Sequence, residues 1–246
     1  KQNLENDVAL FEINNRLDSN SLDLKTLKKM DDFLNIVGNG KYRYLIITGK
    51  GKLFSSGVNL KKFSYPEWEK NPLGNICNKI ENLKIPSICI LNGSVFGGAF
   101  ELALSCDFRI GHKDMIARMP PAKIGINYEA DGIRRIINIL GYQFAKRILI
   151  LGEKFDANQL FEIGFLDFLE ENKFSIKKRL LKLDKSISEN APLAVEGMKK
   201  TILEFFNDKF DDEKAKKRVK DCFLSADFEE GLNAFKQKRR AKFIGK

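Results

Sequence analysis

Residues 87–101, Ser87-Ile88-Cys89-Ile90-Leu91-Asn92-Gly93-Ser94-Val95-Phe96-Gly97-Gly98-Ala99-Phe100-Glu101, decide how this chain is read. Ser87–Leu91 is a short apolar run of the kind that makes a fully buried strand. Asn92–Gly93 is a turn pair. Gly97–Gly98 then opens a helix running through Ala99–Ser105, and Asp107–Ile110 reads as the next strand. Glycine lets a ligand approach the backbone closely, and the first N–H groups of a helix have no partner within it. Such an end carries roughly half a positive charge and favours an oxyanion. On pattern alone, the same strand–glycine–helix unit also fits tight packing of a strand on a helix.

Working outward, the chain repeats this alternation. Tyr44–Thr48 is a second buried strand, followed by another glycine-bearing turn, Phe54-Ser55-Ser56-Gly57-Val58-Asn59-Leu60. Val8–Ile13 precedes it as a short apolar run. A helix is predicted from Asn20 or Ser21, with Leu27, Met30, Leu34 and Val37 on one face and Gly38 at its end. Another is predicted from Glu67 to about Leu83, stopping before Pro86. The alternation predicts an α/β layered fold with a largely parallel sheet. From about Ser175 onward only helical periods occur: Ser175–Asn190, Leu193–Asn207, Glu213–Ser225 and Asp227–Arg240. Asp227 and Glu230 have the spacing of a capping box. The division is therefore a 1–175 α/β core and a 176–246 helical region, packed together without a Pro/Gly/Ser linker.

Composition narrows the function classes. The 246 residues are 43% apolar, enough for a core, and 31% charged with the signs interspersed, which argues against disorder. His112 is the sole histidine. That leaves no His-rich metal site and no evident Ser-His or Cys-His triad, so no metal is expected. Cys77, Cys89, Cys106 and Cys222 lack C-x-x-C spacing and read as buried thiols of a reducing compartment. No apolar run reaches about 18 residues and no signal peptide is visible, so a cytoplasmic protein without a membrane partner is expected. The sequence opens at Lys1, so a few native residues are expected before it.

The net charge of +10 invites a nucleic-acid reading. Six of those charges sit in residues 232–246, as Lys236, Lys238, Arg239, Arg240, Lys242 and Lys246, with no acid among them. Such a tail fits either a solvated helix end matched to the macrodipole or an anion-binding segment.

The stretches NGSVFGGAFELALSCDFRI, FSSGVNL and DFEEGLNAFKQKRRAKFIGK together resemble the crotonase (enoyl-CoA hydratase/isomerase) superfamily, over nearly the whole chain and in family order. GSVFGGAFE, MPPAKIGINY, ENAPLAV and the closing stretch are most similar to its methylmalonyl-CoA decarboxylase branch. The resemblance implies a crotonase-like spiral of ββα units. It also implies a C-terminal helical trimerisation region and a homotrimer or dimer of trimers. No cofactor is implied beyond the coenzyme A carried by an acyl-CoA substrate.

Carried over by motif, the backbone N–H groups of Val58 and Gly98 would form an oxyanion hole for the thioester oxygen. One such donor is worth about 2.7–4 kcal/mol in a transition state. Glu101 matches the first of two hydratase glutamates, and its apolar neighbours Phe100 and Leu102 predict partial burial, which raises a carboxyl pKa. It could instead be a carboxylate favoured by the helix dipole. Tyr128 matches a tyrosine expected to hydrogen-bond the substrate carboxylate. Ser56, Val58, Lys61, Lys62, Gly98, Lys242 and Phe243 are the implied coenzyme A contacts, with Lys236, Lys238 and Arg239 as further candidates.

The departures are informative. Pro121 stands where hydratases have their second glutamate, so hydration, which needs one group for water and one for the α-proton, loses a member. Val58 replaces a histidine, but only its N–H is needed, and Asn59 replaces an aspartate with little expected effect. These features imply decarboxylation of methylmalonyl-CoA or a similar 2-carboxyacyl-CoA through a stabilised enolate. Glu129 keeps an alternative open, since some superfamily members place a nucleophilic or basic carboxylate at this turn, which would support thioester hydrolysis or covalent catalysis; the within-family alternative is therefore an acyl-CoA hydrolase or a hydratase/isomerase. Glu129 and Asp131 could equally be polar residues capping a helix that starts near Gly132. An RNA-binding homologue is the remote reading, and nucleic acid is not expected as a partner.

Overall fold

The computed structural model describes residues 7–246. Five strands form one sheet: β1 (Val8–Ile13), β2 (Tyr44–Gly49), β3 (Ser87–Ile90), β5 (Phe108–His112) and β8 (Phe168–Glu170), in that order and all parallel. Three strands form a second sheet: β4 (Val95–Phe96), β6 (Ile116–Arg118) and β7 (Lys154–Asp156). The chain alternates between the sheets. β3 is followed by β4 of the second layer and then by the helix α4 (Gly98–Leu104), and β5 is followed in the same way by β6. The Ser55–Val95 bridge extends this pattern to the turn after β2. The result is a spiral of ββα units.

A parallel sheet covered on both faces needs apolar residues at every position. β2 shows this. Leu45 and Ile47 enter the main core, with α1 (Leu24–Asn39) and α3 (Pro72–Glu81) contributing Leu27, Met30, Ile76 and Ile80. Tyr44 and Ile46 enter a second cluster, closed by Ile176 and Ile187 of α8 (Lys173–Ser188). Each such side chain contributes about 1.5–3 kcal/mol by burial.

The strands over 8–13, 44–48, 87–91 and 107–110 form as read, with ends moved by a residue or two. Two helices differ from expectation. α1 starts after Asp23, whose side chain accepts from Thr26 N at 2.9 Å, and runs to Asn39. Asn20 lies in the preceding loop, where its amide donates to Lys50 O and Leu53 O, both at 2.9 Å. The helix expected over 67–83 is two pieces, α2 (Tyr65–Trp68) and α3. Pro72 causes the break, since it lacks an N–H and disfavours helix at the residue before it. Asn71 there takes φ 46°.

The middle of the chain adds α5 (Ala130–Leu140), α6 (Tyr142–Lys146) and α7 (Ala157–Glu162). The last three helices are α9 (Pro192–Phe206), α10 (Asp212–Phe223) and α11 (Ala226–Lys236). They leave Ile202, Phe223, Leu224 and Phe235 exposed. The capping box expected at Asp227 and Glu230 does not form. Ser225 caps α11 instead, accepting from Phe228 N at 3.1 Å. No helix among the described residues is long and apolar enough to cross a membrane.

Candidate active site

The two glycine-bearing turns meet. Gly57 has φ +83°, and a Cβ there would stand 2.5 Å from Phe96 O and 3.0 Å from Gly98 N. Only glycine permits both the conformation and the contact. The neighbouring backbone groups are committed. Leu22 N donates to Gly57 O at 2.8 Å, Phe96 N to Ser55 O at 3.0 Å and Gly97 N to Arg118 O at 2.9 Å. Val58 N and Gly98 N donate to no acceptor among the described residues. These are the two donors that the motifs single out. Both residues line a cavity of about 710 Å3.

Glu101 lies one turn into α4, on the face of Gly98, and is only 3% exposed. Its Oε2 accepts from the Tyr128 hydroxyl and its Oε1 from Arg135 Nη1. Burial pushes the Glu101 carboxyl above its ordinary value, against the pull of Tyr128 and Arg135 and with some help from Glu81 and Asp131. Burial and the Glu101 charge together hold the Tyr128 phenol well above its usual range. Gly132 makes the pairing possible, because a Cβ there would lie 2.4 Å from Tyr128 Cε1 and 3.0 Å from Glu101 Cδ.

Ser56, Val58, Gly98, Glu101, Tyr128 and Glu129 all line the cavity, and so does Pro121. Phe63, Tyr65, Trp68 and Leu73 add an apolar wall. Tyr128 was expected to bond a substrate carboxylate, yet its one proton goes to Glu101. It can turn to substrate when Glu101 carries a proton of its own. Glu129 is exposed and occupies the N-cap position of α5 without making a side-chain cap bond. Asp131 is no cap either. It lies inside the first turn and accepts from Asn78 Nδ2 at 3.1 Å.

Lys61, Lys62, Lys242 and Phe243 are not among the residues that line the cavity, whereas Arg118 is. Lys62 pairs with Asp18 at 2.8 Å, and Lys61 is exposed beside it. Lys242 and Phe243 lie on a tail fastened to α11 of the same chain. Glu230 accepts a fork from Arg239 at 2.6 and 2.7 Å and the N–H of Lys242 at 2.8 Å. Asp227 accepts from Ile244 N at 2.7 Å and Gly245 N at 2.9 Å. His112 is buried, and its Nδ1 accepts from Asp114 N at 3.3 Å.

Arg135 is the site residue that sequence reasoning missed. It is fully buried. Its Nε and Nη2 fork onto Glu81 at 2.7 and 2.9 Å, and Nη2 also reaches Asn78 Oδ1 at 2.9 Å. A signal existed. Arg135 falls on the buried stripe of α5 with Gly132, Ile136 and Leu140. A charge on an apolar helical stripe is rare unless paired.

The family described as enoyl-CoA hydratase/isomerase matches residues 3–246. The chain is 27% identical to a methylmalonyl-CoA decarboxylase of Escherichia coli, over 98% of this chain and 95% of that one. It is 29% identical to a short-chain-enoyl-CoA hydratase of Clostridium acetobutylicum, over 96% and 94% of the two chains. Its fold superposes on the crystal structure of an enoyl-CoA hydratase from Bacillus anthracis with a TM-score of 0.88, at 25% identity and over 98% and 96% of the chains.

Proposed function

The chain belongs to the enoyl-CoA hydratase/isomerase family, and from that premise we propose that it decarboxylates a 2-carboxyacyl-CoA thioester of the methylmalonyl-CoA kind. The observation that carries this reading is Pro121. It lines the cavity that holds Glu101; by motif resemblance it stands where hydratases carry their second glutamate, and a proline supplies no acid or base there. The decarboxylase relative supports the same choice.

The chemistry uses what the site retains. Val58 N–H and Gly98 N–H hold the thioester oxygen. The bond from the α-carbon to the carboxylate breaks, CO2 leaves, and the electron pair passes into the thioester as an enolate. Two preorganised donors stabilise that charge as it develops. With Glu101 protonated, its hydroxyl donates to Tyr128, and the Tyr128 hydroxyl is free to hold the scissile carboxylate. Once CO2 has left, a proton passes along the same pair to the α-carbon.

Purified protein incubated with methylmalonyl-CoA should yield propionyl-CoA, followed by mass spectrometry. Turnover of crotonyl-CoA with no propionyl-CoA would sink the reading. Glu129 favours a second one, because it lines the cavity with no cap bond to hold it. It could serve thioester hydrolysis or covalent catalysis, and loss of a hydrolase activity in Glu129→Gln would establish that role. The exposed apolar residues of α9–α11 support assembly as a trimer or dimer of trimers. There the tail of one copy could bring Lys242 and Phe243 to the coenzyme A of its neighbour.

A further inference from the structure

Two buried carboxylates share one guanidinium. Arg135 gives Glu81 two hydrogen bonds and Glu101 one. Glu81 lies on α3 and is 8% exposed; Glu101 lies on α4 and is 3% exposed; Arg135 lies on α5 and is fully buried. The Arg135 guanidinium thus stands between the two carboxyl groups, and its fork goes to Glu81. Arg134 Nη2 adds a weaker contact to Glu81 at 3.7 Å.

We propose that Glu81 is a positioning residue that governs the proton of Glu101 by holding Arg135. It is not among the residues that line the cavity. Its carboxylate draws the guanidinium toward α3 and takes up most of its charge. Glu101 is left incompletely compensated and so keeps a proton that a fully paired carboxylate would release. Without Glu81, Arg135 would pair with Glu101 alone, and an opposite charge at hydrogen-bond range favours the ionised form.

The titratable and charged groups around Glu101 are few. α3 contributes Glu81 and Cys77, α5 contributes Asp131, Arg134 and Arg135, and the loop before α5 contributes Tyr128. Glu81 is the acid that forks onto Arg135. Asp131 reaches the cluster only through Asn78 and a 3.9 Å contact to Arg134.

The inference rests on reading Glu101 as the proton-handling group of the site, and its test needs no substrate. Infrared spectra of protein labelled with 13C-glutamate, compared with Glu101→Gln, give the carboxyl titration of Glu101 directly. In Glu81→Gln, which keeps an acceptor for Arg135 but removes the charge, that titration should shift to lower pH. Glu81→Asp, which keeps the charge, should restore it. Asn78→Asp, which adds a negative charge beside Arg135, should shift it upward, and it stands in if Glu81→Gln does not fold. A merely structural staple between α3 and α5 would change melting temperature and leave the titration in place. An unmoved or upward titration in folded Glu81→Gln overturns the proposal. If the titration shifts as expected while no acyl-CoA is decarboxylated, the functional reading fails and this one stands.

Discussion

The Tyr128 hydroxyl donates to Glu101 Oε2, so these two residues share one decision about where a proton lies. Glu101 either accepts that hydrogen bond as a carboxylate or, when protonated, gives one to the phenol oxygen. Only the second state frees the Tyr128 proton for a substrate carboxylate.

A pH dependence with a definite sign follows. Burial holds the Glu101 carboxyl above its ordinary value of 4.5, and the contacts from Tyr128 and Arg135 only partly offset it. The folded protein therefore binds this proton more tightly than the unfolded chain does. The stability this group contributes is fully present below the ordinary value and is lost as pH rises through the raised one. Decarboxylation should fall over the same window, as Tyr128 turns back to the ionised carboxylate. Rate against pH, measured for the wild type and Glu101→Gln, checks this. The neutral amide should abolish that limb. A rate that rises with pH would mean Glu101 works as a base, as hydration requires.

Tyr128→Phe removes the shared hydroxyl and leaves the ring. Loss of a positioned proton-transfer group lowers turnover by about 100-fold. The Glu101 carboxylate also loses a donor while buried, which costs about 1–3 kcal/mol of stability. Propionyl-CoA formation and a urea titration measure the two effects separately. A variant with unchanged turnover would place Tyr128 outside the chemistry.

Gly132→Ala tests the packing that brings the pair together. Its Cβ would fall 2.4 Å from the Tyr128 ring and 3.0 Å from the Glu101 carboxyl carbon. One of them has to move, and overpacking of this kind costs about 1–3 kcal/mol. Turnover should drop by more than this modest destabilisation explains, because in the proposed reaction the displaced groups handle the proton. Comparing rates at a temperature where both proteins remain folded isolates that effect.

Val58, Gly98 and Glu101 are legible through the family resemblance, because each lies in a short contiguous motif, and the fold brings all three to one cavity. The strands over 44–48 and 87–91 could be read because a covered parallel sheet tolerates little besides apolar residues. Arg135 and Glu81 are 54 residues apart and meet only through tertiary packing. Asp227 and Glu230 misled for the opposite reason. Their spacing suits a cap, but Ser225 lies closer to the helix start and takes that role. The two acids are spent on the tail.

That use of Glu230 carries the last prediction. Its carboxyl is held down to about 2, first by the Arg239 fork and next by the Lys242 N–H. The clamp is therefore intact above the ordinary carboxylate range and is lost as pH falls through that depressed value. Glu230→Gln removes the charge at neutral pH and should loosen residues 239–246 while the core stays folded. Trypsin should then cut faster after Arg239, Arg240 and Lys242, with an unchanged melting temperature. If the tail reaches coenzyme A phosphates in an assembled trimer, the same variant weakens binding of coenzyme A relative to its 3′-dephospho form. An equal loss for both forms would mean that the tail meets some other part of the ligand.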